Sequence, residues 1–374
     1  WEINKTTNRS EFEKIGETSS SPALGRLRIN GSASDPYVAI IGSGFDPYDI
    51  KNLSKTAYLT VVDLKDGSII KQIEVSSKLG NITTNLALLR DKAGYLEKIY
   101  FGDYYGCLWR INLSTTTEVN DFLGKTILAE EDMLFKPSDY ASSDMLLGPE
   151  PERPISAPPI LGMAEEETIW AYFGTGSYDD YDPGYPYQKF YGLKDVLTTP
   201  YQDGGLIDMT NSSNTNLDQD SWHITLGTND NRDYDQEIGQ ASVKDRNERV
   251  LTTPEVYGGF VFFTTWTPND DPCGGGVTRF YSVGYKSGGY EGGLIKGVED
   301  AGTEKTDVRS IIPSDPSAKS SVPSKPMIYV GQSESGEPVA KGLVNLGTGE
   351  LTEIELDPSK FAEILNILLW REIK

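Results

Sequence analysis

The chain has 374 residues, with 34 lysines and arginines against 56 aspartates and glutamates, which gives a formal net charge of −22. Such an acidic protein repels nucleic acid phosphates and anionic lipid, which argues against nucleic acid partners and against membrane insertion. One histidine and two cysteines exclude a histidine-rich metal centre and a disulfide-stapled scaffold, and no apolar run is long enough to span a bilayer.

The first predicted strands follow the segment SSSPALGRLRI. They cover Tyr37–Phe45 and Ala57–Val75, and in the second range Asp66-Gly67 separates two alternating apolar runs. This dipeptide between such runs is typical of a β-hairpin with a tight turn. We therefore expect three short strands in this part of the chain.

The same pattern recurs four more times along the chain. Each copy of about fifty residues has a Ser/Thr and Pro entry, an apolar strand, a strand ending in Gly, and an aromatic strand leading to a turn. The recurring strands are predicted at Lys98–Leu113, Ile169–Tyr178, Gln188–Asp195, Arg249–Pro268 and Lys341–Leu356. No copy has enough strands to bury a core alone, so the copies must pack on one another. The prediction is an all-β fold, a modified quinoprotein-like β-propeller of about seven blades. A β-solenoid, which has shorter repeats, is the competing architecture.

Long polar insertions separate the copies, at Thr115–Glu152, Thr198–Arg246 and Val298–Ser320. Their Asp, Asn, Ser and Pro content indicates loops or small excursions, and loops on a rigid scaffold are where binding specificity usually lies. Near the end of the chain, Pro358–Trp370 has apolar residues at helical spacing, which predicts a short amphipathic helix.

The two chain ends carry a prediction of their own. The sequence begins at Trp1 rather than at an initiator methionine, so we expect a piece of a longer protein whose N-terminal part is absent. Residues 1–374 are predicted to form a single propeller domain. We expect one blade to be closed by strands from both ends, Trp1–Ile3 and Trp370–Ile373.

Alternating polar residues in TNDNRDYDQE form a candidate metal site. Oxygen-bearing side chains at alternate positions can converge on calcium, and the candidate ligands are Asn229, Asn231, Asp233 and Asp235. The segment lacks the glycine and the distal glutamate of an EF-hand, so a solvated turn is the alternative interpretation. A second acidic cluster with the same ambiguity contains Asp179, Asp180 and Asp182.

The histidine and the cysteines are interpreted as structural. His223 lies in SWHITLG among alternating apolar residues, which predicts a strand, and no nucleophile or carboxylate is nominated beside it. Cys107 and Cys273 lie in different copies, so a disulfide between them is disfavoured. Trp109 and Trp170 are expected to pack between blades.

The sequences of the copies resemble the C-terminal propeller of the PilY/PilC family of proteins, which are associated with the tips of type IV pili. The similarity runs in family order through nearly the whole chain. The matching pieces are Tyr100–Trp109 (YFGDYYGCLW), Arg153–Pro158 (RPISAP), Tyr172–Gly176 (YFGTG), Phe190–Asp195 (FYGLKD), Arg249–Pro254 (RVLTTP), Phe262–Cys273 (FFTTWTPNDDPC) and Trp370–Glu372.

This resemblance implies an extracellular protein at the cell surface or the pilus tip. It implies roles in pilus biogenesis, in opposing retraction and in adhesion, with minor pilins and an unknown surface or host ligand as partners. In the family, a variable N-terminal region, often with an adhesive domain, precedes the propeller.

The resemblance also implies a calcium loop just before the YFGD piece. The corresponding positions here are Leu89, Asp91, Ala93 and Glu97, with Gly94 keeping the turn. Asp91 and Glu97 are the remaining candidate ligands of a degenerate loop. Because calcium takes six to eight oxygen ligands, we expect this loop to have lost its ion, although calcium is the one cofactor that the sequence nominates.

Two other functions remain open. Quinoprotein dehydrogenases are propellers with Gly and Trp at similar places, but no quinone cofactor motif is recognisable in this chain. A purely structural subunit of a surface assembly would present the same long loops. The prediction is that the chain is not an enzyme.

Overall fold

The structure is a computed structural model in which short strands alternate with turns. The alternation reflects β-branched and aromatic runs broken by Gly, Pro and Asp. The residues that it describes are 14–15, 20–30, 34–44, 57–75, 82, 84–137, 153–163, 168–178, 187–196, 198–210, 219–227, 233–235, 240–241, 247–268, 276–289, 293–296, 299–300, 303–304, 309–312, 322–346 and 351–365.

The chain forms two compact units. The first consists of Trp1–Pro159, Leu197–Gly205 and Ile373–Lys374, and the second of Ile160–Val196 and Leu206–Glu372. The first contains two of the larger sheets and the second contains three. A single propeller domain over residues 1–374 stays a prediction.

The first sheet contains the predicted hairpin. Gly67, with φ of 78°, lies in the turn between the third and fourth strands, and its N–H donates to the Asp63 carbonyl at 2.9 Å. The sheet order is β1-β2-β3-β4-β8. The strands are β1 (Ala23–Arg26), β2 (Tyr37–Gly42), β3 (Ala57–Asp63), β4 (Ile69–Val75) and β8 (Ile127–Leu128).

The second sheet has the order β13-β9-β7-β6-β5. Its strands are β5 (Ala87–Arg90), β6 (Leu96–Gly102), β7 (Leu108–Asn112), β9 (Met133–Lys136) and β13 (Tyr201–Gln202). Its outermost strand, like β8 of the first sheet, is parallel to its neighbour and comes from much later in the chain. The first two sheets are therefore each completed late.

A helix that the sequence interpretation missed lies inside the first polar insertion. Helix α1 (Thr116–Gly124) begins with a capping box, in which the Thr115 hydroxyl accepts from the Glu118 N–H at 3.2 Å and the Glu118 carboxylate accepts from the Thr115 N–H at 2.9 Å. Val119 and Phe122 are buried in the core that the first two sheets share. This insertion is thus built into the fold rather than being only a loop.

The third sheet has the order β10-β11-β12-β15-β14. Every residue of β11 is buried, as expected for an inner strand covered on both faces. The strands are β10 (Ile160–Met163), β11 (Ile169–Gly174), β12 (Lys189–Lys194), β14 (Ile207–Asp208) and β15 (Ser221–Thr225).

The fourth sheet has the order β17-β16-β23-β20-β19-β18. Its strands are β16 (Asp233–Asp235), β17 (Gln240–Ala241), β18 (Glu255–Tyr257), β19 (Phe260–Pro268), β20 (Gly276–Gly284) and β23 (Ser310–Ile312). A two-stranded ribbon pairs β21 (Glu299–Asp300) with β22 (Thr303–Glu304).

The fifth sheet and a helix end the described chain. Antiparallel strands β24 (Met327–Gln332), β25 (Pro338–Asn345) and β26 (Leu351–Leu356) precede helix α2 (Pro358–Leu365). Phe361 of α2 packs into a core with Phe260, Phe262 and Phe280 of the fourth sheet.

The predicted C-terminal helix is confirmed from Pro358 to Leu365. Its predicted remainder and the two end segments expected to close a blade lie outside the described residues. Within the described part of the chain, the structure contains no helix with the length and apolar character needed to cross a membrane.

Candidate functional site

A recurrent contact, which we call the glycine junction, links the second strand of a sheet to the segment that leads to the next sheet. A glycine ends the strand, an aliphatic side chain covers it, and the residue after the glycine accepts a backbone hydrogen bond from the aliphatic residue. The three sets are Gly42, Ser43 and Ile82; Gly102, Asp103 and Ile155; and Gly174, Thr175 and Val250.

The glycines are needed for space. A Cβ atom added to Gly102 would lie 2.3 Å from Ile155 Cγ2, and one added to Gly174 would lie 2.3 Å from Val250 Cγ2. The backbone N–H groups of Ile155 and Val250 donate to the carbonyls that follow these glycines at 3.1 and 3.0 Å. The junction therefore brings the backbones close and excludes any side chain at the glycine.

Asp103 supplies the polar part of the junction in the second sheet. Its Oδ1 accepts from the Tyr105 and Cys107 N–H groups, both at 2.9 Å, and its Oδ2 accepts from the Trp109 indole N–H at 2.8 Å. The carboxylate is fully buried, and Phe101 stacks on the Trp109 ring at 6.2 Å. The motif FGDYYGCLW is thus a structural unit in which aspartate satisfies buried donors.

A second glycine of the same motif also meets its partner segment. Gly106 has φ of 84°, and a Cβ there would lie 2.3 Å from the Arg153 carbonyl oxygen. Gly176, with φ of 126°, similarly lies against Arg249, whose guanidinium donates to the Ser177 carbonyl at 2.7 Å. The pieces that resemble the PilY/PilC family therefore meet in pairs, YFGDYYGCLW with RPISAP and YFGTG with RVLTTP.

The candidate calcium loop is the turn between β5 and β6. Asp91 Oδ1 accepts from the Ala93 and Tyr95 N–H groups at 2.8 and 2.9 Å, and Asp91 Oδ2 forms an ion pair with Arg28. Desolvation raises the pKa of Asp91, but the Tyr95 and Ala93 hydrogen bonds and the Arg28 charge outweigh it, so this pKa is lowered overall. The carboxylate is held charged by groups of the protein itself.

The other positions of this loop supply little to a cation. Leu89 has no side-chain oxygen and pairs with Lys98 in the sheet, while Ala93 contributes only its N–H to Asp91. Glu97 lies in β6, where its carbonyl accepts from Leu113 at 2.7 Å. Because calcium requires six to eight oxygens and both Asp91 oxygens are already hydrogen-bonded, the described residues of the loop do not fit the ion.

Two arginines from β1 and the segment after it cover this turn. The guanidinium of Arg28 lies 4.2 Å from the centre of the Tyr95 ring, and that of Arg26 lies 4.4 Å from it and 5.1 Å from Tyr37. The Tyr95 hydroxyl also reaches Asp35 Oδ2 at 3.4 Å. The sequence interpretation missed these arginines, although their alternation in GRLRI was a visible signal.

The second candidate metal site is only partly described. Asp233 and Asp235 belong to β16, which pairs with Ser310 and Ile312 of β23 in parallel. Asn229 and Asn231 lie outside the described residues, as does the cluster of Asp179, Asp180 and Asp182. Calcium at Asn229–Asp235 stays a prediction. Elsewhere in the described chain, no three His, Cys, Asp or Glu side chains lie close enough together to hold a metal.

His223 lies in the predicted strand. It is buried in β15, with its Nε2 3.7 Å from Asp208 Oδ1 of the neighbouring β14. Desolvation raises the pKa of Asp208. The hydrogen bonds from Thr210 and the charges of His223 and Lys189 together lower it by more, so this pKa is lowered overall. These contacts hold two parallel strands together, which agrees with a structural histidine.

The cysteines and tryptophans are also placed in part. Cys107 is fully buried beside Asp103, and Cys273 lies outside the described residues, so the disulfide question stays with the sequence argument. Trp109 is buried in the core shared by the first two sheets, and Trp170 stacks on Tyr172 at 6.1 Å.

A buried acidic group in the second unit was also missed. Glu248 Oε1 accepts from the hydroxyls of Thr265 and Tyr281 at 2.6 and 2.8 Å, and Oε2 accepts from the Gly227 N–H at 2.7 Å. Arg279 Nε lies 3.6 Å from Oε1. The only signal in the sequence was the position of Glu248 directly before RVLTTP, the segment with which the fourth copy begins. These contacts satisfy a buried charge. They do not place a nucleophile beside a general base.

The chain is similar to known proteins of one family. Residues 2–212 match the PilY1 beta-propeller domain family. The type IV pilus biogenesis factor PilY1 of Pseudomonas aeruginosa (strain UCBPP-PA14) is 25% identical over 337 residues, covering 77% of this chain and 28% of that protein. A PilY1 homolog of Xylella fastidiosa (strain Temecula1 / ATCC 700964) is 25% identical over 335 residues, covering 77% of this chain and 20% of its own length.

A solved structure agrees on the fold. The crystal structure of the Pseudomonas aeruginosa PilY1 C-terminal domain superimposes with a TM-score of 0.59 and 16% identity, covering 96% of this chain and 74% of that one. The predicted all-β propeller fold is confirmed. The chain spans about 28% and 20% of the length of the two full-length relatives.

Proposed function

The chain belongs to the PilY1 β-propeller family, and from this premise we propose that it is a non-enzymatic, extracellular component of a type IV pilus tip complex. It would act in pilus biogenesis and retraction control, and in adhesion, through loops held on a rigid propeller. The names of the two relatives as type IV pilus biogenesis factors support the pilus assignment. The propeller would contact minor pilins and an unidentified surface or host ligand.

One observation carries the proposal. The pieces that resemble the family are contact partners in the folded chain, as Gly102 with Ile155 and Gly174 with Val250 illustrate. The family resemblance therefore concerns the scaffold that spaces and orients the loops. A scaffold of this kind suits a binding protein, because loops can vary while the junctions stay fixed.

The chemistry of the described residues supports a role without catalysis. Two of the buried charged groups, Asp103 and Glu248, each accept three hydrogen bonds from the protein. The Nε2 atom of His223 lies 3.7 Å from Asp208 Oδ1 of the neighbouring strand. Groups bound in this way are suited to holding strands together rather than to acid-base chemistry.

The test is to capture partners of the full-length protein from pilus-bearing cells and to identify them by mass spectrometry. An acidic β-propeller of an unrelated family serves as control bait for charge-driven binding. Enrichment of pilin-like proteins over the control, with loss of surface pili when the gene is deleted, is the expected result.

The capture experiment and an activity assay separate the alternatives. Recovery of surface assembly proteins without pilins, with normal piliation in the deletion strain, would overturn the proposal in favour of a purely structural surface subunit. Quinone-dependent oxidation of a substrate by the purified protein would overturn it in favour of a propeller-type quinoprotein dehydrogenase.

A further inference from the structure

We infer that the guanidinium of Arg28 is the resident cation of the turn between β5 and β6, so that this turn keeps its structure without a divalent ion. The inference concerns the first two sheets alone and does not depend on the proposed pilus role. It assigns to one arginine and one carboxylate the task that a metal would otherwise perform.

The first step is the ion pair itself. Arg28 follows β1 of the first sheet, Asp91 begins the turn of the second sheet, and the two are 63 residues apart in sequence. Their side chains are 26% and 22% exposed, so both charges are largely removed from water. A partly desolvated arginine and carboxylate attract each other more strongly than an exposed pair does.

The second step is what fixes the arginine in place. Its guanidinium stacks on the Tyr95 ring at 4.2 Å, and the Arg26 N–H donates to the Gly94 carbonyl of the same turn at 3.0 Å. The backbone of β1 is therefore tied to the turn independently of the ion pair. This arrangement holds the guanidinium beside Asp91, so the arginine side chain loses little conformational entropy when the ion pair forms.

A calcium ion would compete with groups of the protein that already bind the Asp91 carboxylate. A calcium ion on Asp91 would have to displace Arg28 from Oδ2 and the Ala93 and Tyr95 N–H groups from Oδ1. It would also face the charge of Arg26, which lies 4.4 Å from the Tyr95 ring. With two cationic side chains already present and few oxygens to offer, the turn excludes a divalent cation.

The first test is thermal unfolding of the full-length protein against calcium, up to about 10 mM, with magnesium as control. The Asp91→Asn variant is titrated in parallel, because calcium bound elsewhere in the chain would shift both proteins equally. No shift, or an equal shift in the two proteins, supports the inference. Calcium stabilisation of the wild type that disappears in Asp91→Asn overturns it.

A double-mutant cycle tests the ion pair. Arg28→Gln and Asp91→Asn are each expected to lower the Tm by roughly 2 °C, and the double variant should lose clearly less than the sum. Lys92→Gln, which removes an exposed positive charge from the same turn, is the matched control and should leave the Tm unchanged. Additive losses, or an equal loss in Lys92→Gln, would overturn the inference.

If Arg28→Gln does not fold, Arg28→Lys keeps the test open. Lysine preserves the charge but loses the planar stacking on Tyr95, so an intermediate Tm is expected. An Arg28→Lys variant whose Tm rises with calcium would also contradict the assignment, because the positive charge beside Asp91 would still be present.

Discussion

The glycine junctions of the second and third sheets share one backbone arrangement and differ in their polar residue. Asp103 serves three N–H donors, one of them the Trp109 indole. At the equivalent place, the Thr175 hydroxyl accepts from the Lys189 N–H at 2.9 Å and donates to the Lys189 carbonyl at 3.3 Å. The position thus selects whichever group satisfies its local donors and acceptors, while the glycine and the aliphatic cover stay the same.

The fourth sheet shows how far the arrangement can change. Thr264 in FFTTW corresponds in sequence to the glycines of YFGD and YFGTG, and its hydroxyl lies 2.8 Å from the Thr252 hydroxyl and 3.3 Å from the Ser324 carbonyl. In the fourth sheet this position therefore carries a hydrogen-bonded side chain, whereas the junctions of the first three sheets have glycine.

The comparison predicts the largest effect at Asp103. Asp103→Ala leaves three buried donors without an acceptor, and we expect the free energy of unfolding to fall by about 4 kcal/mol. Chemical denaturation followed by tryptophan fluorescence measures this change. Asp103→Asn, which keeps an acceptor oxygen, should lose about half as much. A loss below about 1 kcal/mol for Asp103→Ala would contradict the role given to this carboxylate.

The next largest effect concerns the glycines. Gly102→Ala and Gly174→Ala should each lower the free energy of unfolding by about 2 kcal/mol, because the new methyl group overlaps Ile155 or Val250. Combining Gly102→Ala with Ile155→Ala should give a smaller loss than the sum of the two changes, since the smaller cover makes room. Gly124→Ala at the end of α1 is the control, because a Cβ there meets nothing within 4 Å.

A smaller effect is expected at Thr175. Thr175→Val keeps the shape but removes the hydroxyl, and should lower the free energy of unfolding by about 1 kcal/mol. Thr175→Asp should be worse than valine, because a carboxylate would accept from the Lys189 N–H but repel its carbonyl. If aspartate were tolerated as well as threonine, the two junctions would be interchangeable and the comparison would fail.

The smallest expected effect is a pH dependence at a third polar group that holds a turn, Asp91. Its folded pKa is lowered, so the stability that it contributes is present above the unfolded value of about 3.9 and is lost as pH falls through the lower folded pKa. Thermal unfolding from pH 6 to about pH 2.5 should show a steeper acid decline in the wild type than in Asp91→Asn. If the profiles of Tm against pH for the two proteins were superimposable, the Asp91 carboxylate would not stabilise the turn.

Much of the fold could be predicted from local signals. Alternating apolar runs, the Asp66-Gly67 turn and the helical spacing after Pro358 each depend on residues that are close in sequence. The outer strands β8 and β13 could not be predicted in this way, because two residues are too few to show a period. Helix α1 was missed because its capping box lies in a polar stretch that was interpreted as a loop.

The candidate site was predictable in residue type but not in contact. Asp91 was identified through the family resemblance, but Arg28, its partner, comes from the segment after β1, which only the fold brings near. Glu248 likewise gains its three donors from different elements. Sequence patterns report the spacing along one strand, whereas these sites depend on contacts between segments that are far apart in sequence.

The late outer strands have a consequence for the order in which the chain can fold during synthesis. The first sheet cannot be completed until Ile127–Leu128 has been made, by which time β5, β6 and β7 of the second sheet already exist. The second sheet in turn waits for Tyr201–Gln202, after β12 of the third. A nascent chain stalled between sheets would therefore carry an unfinished edge, open to pairing with other chains.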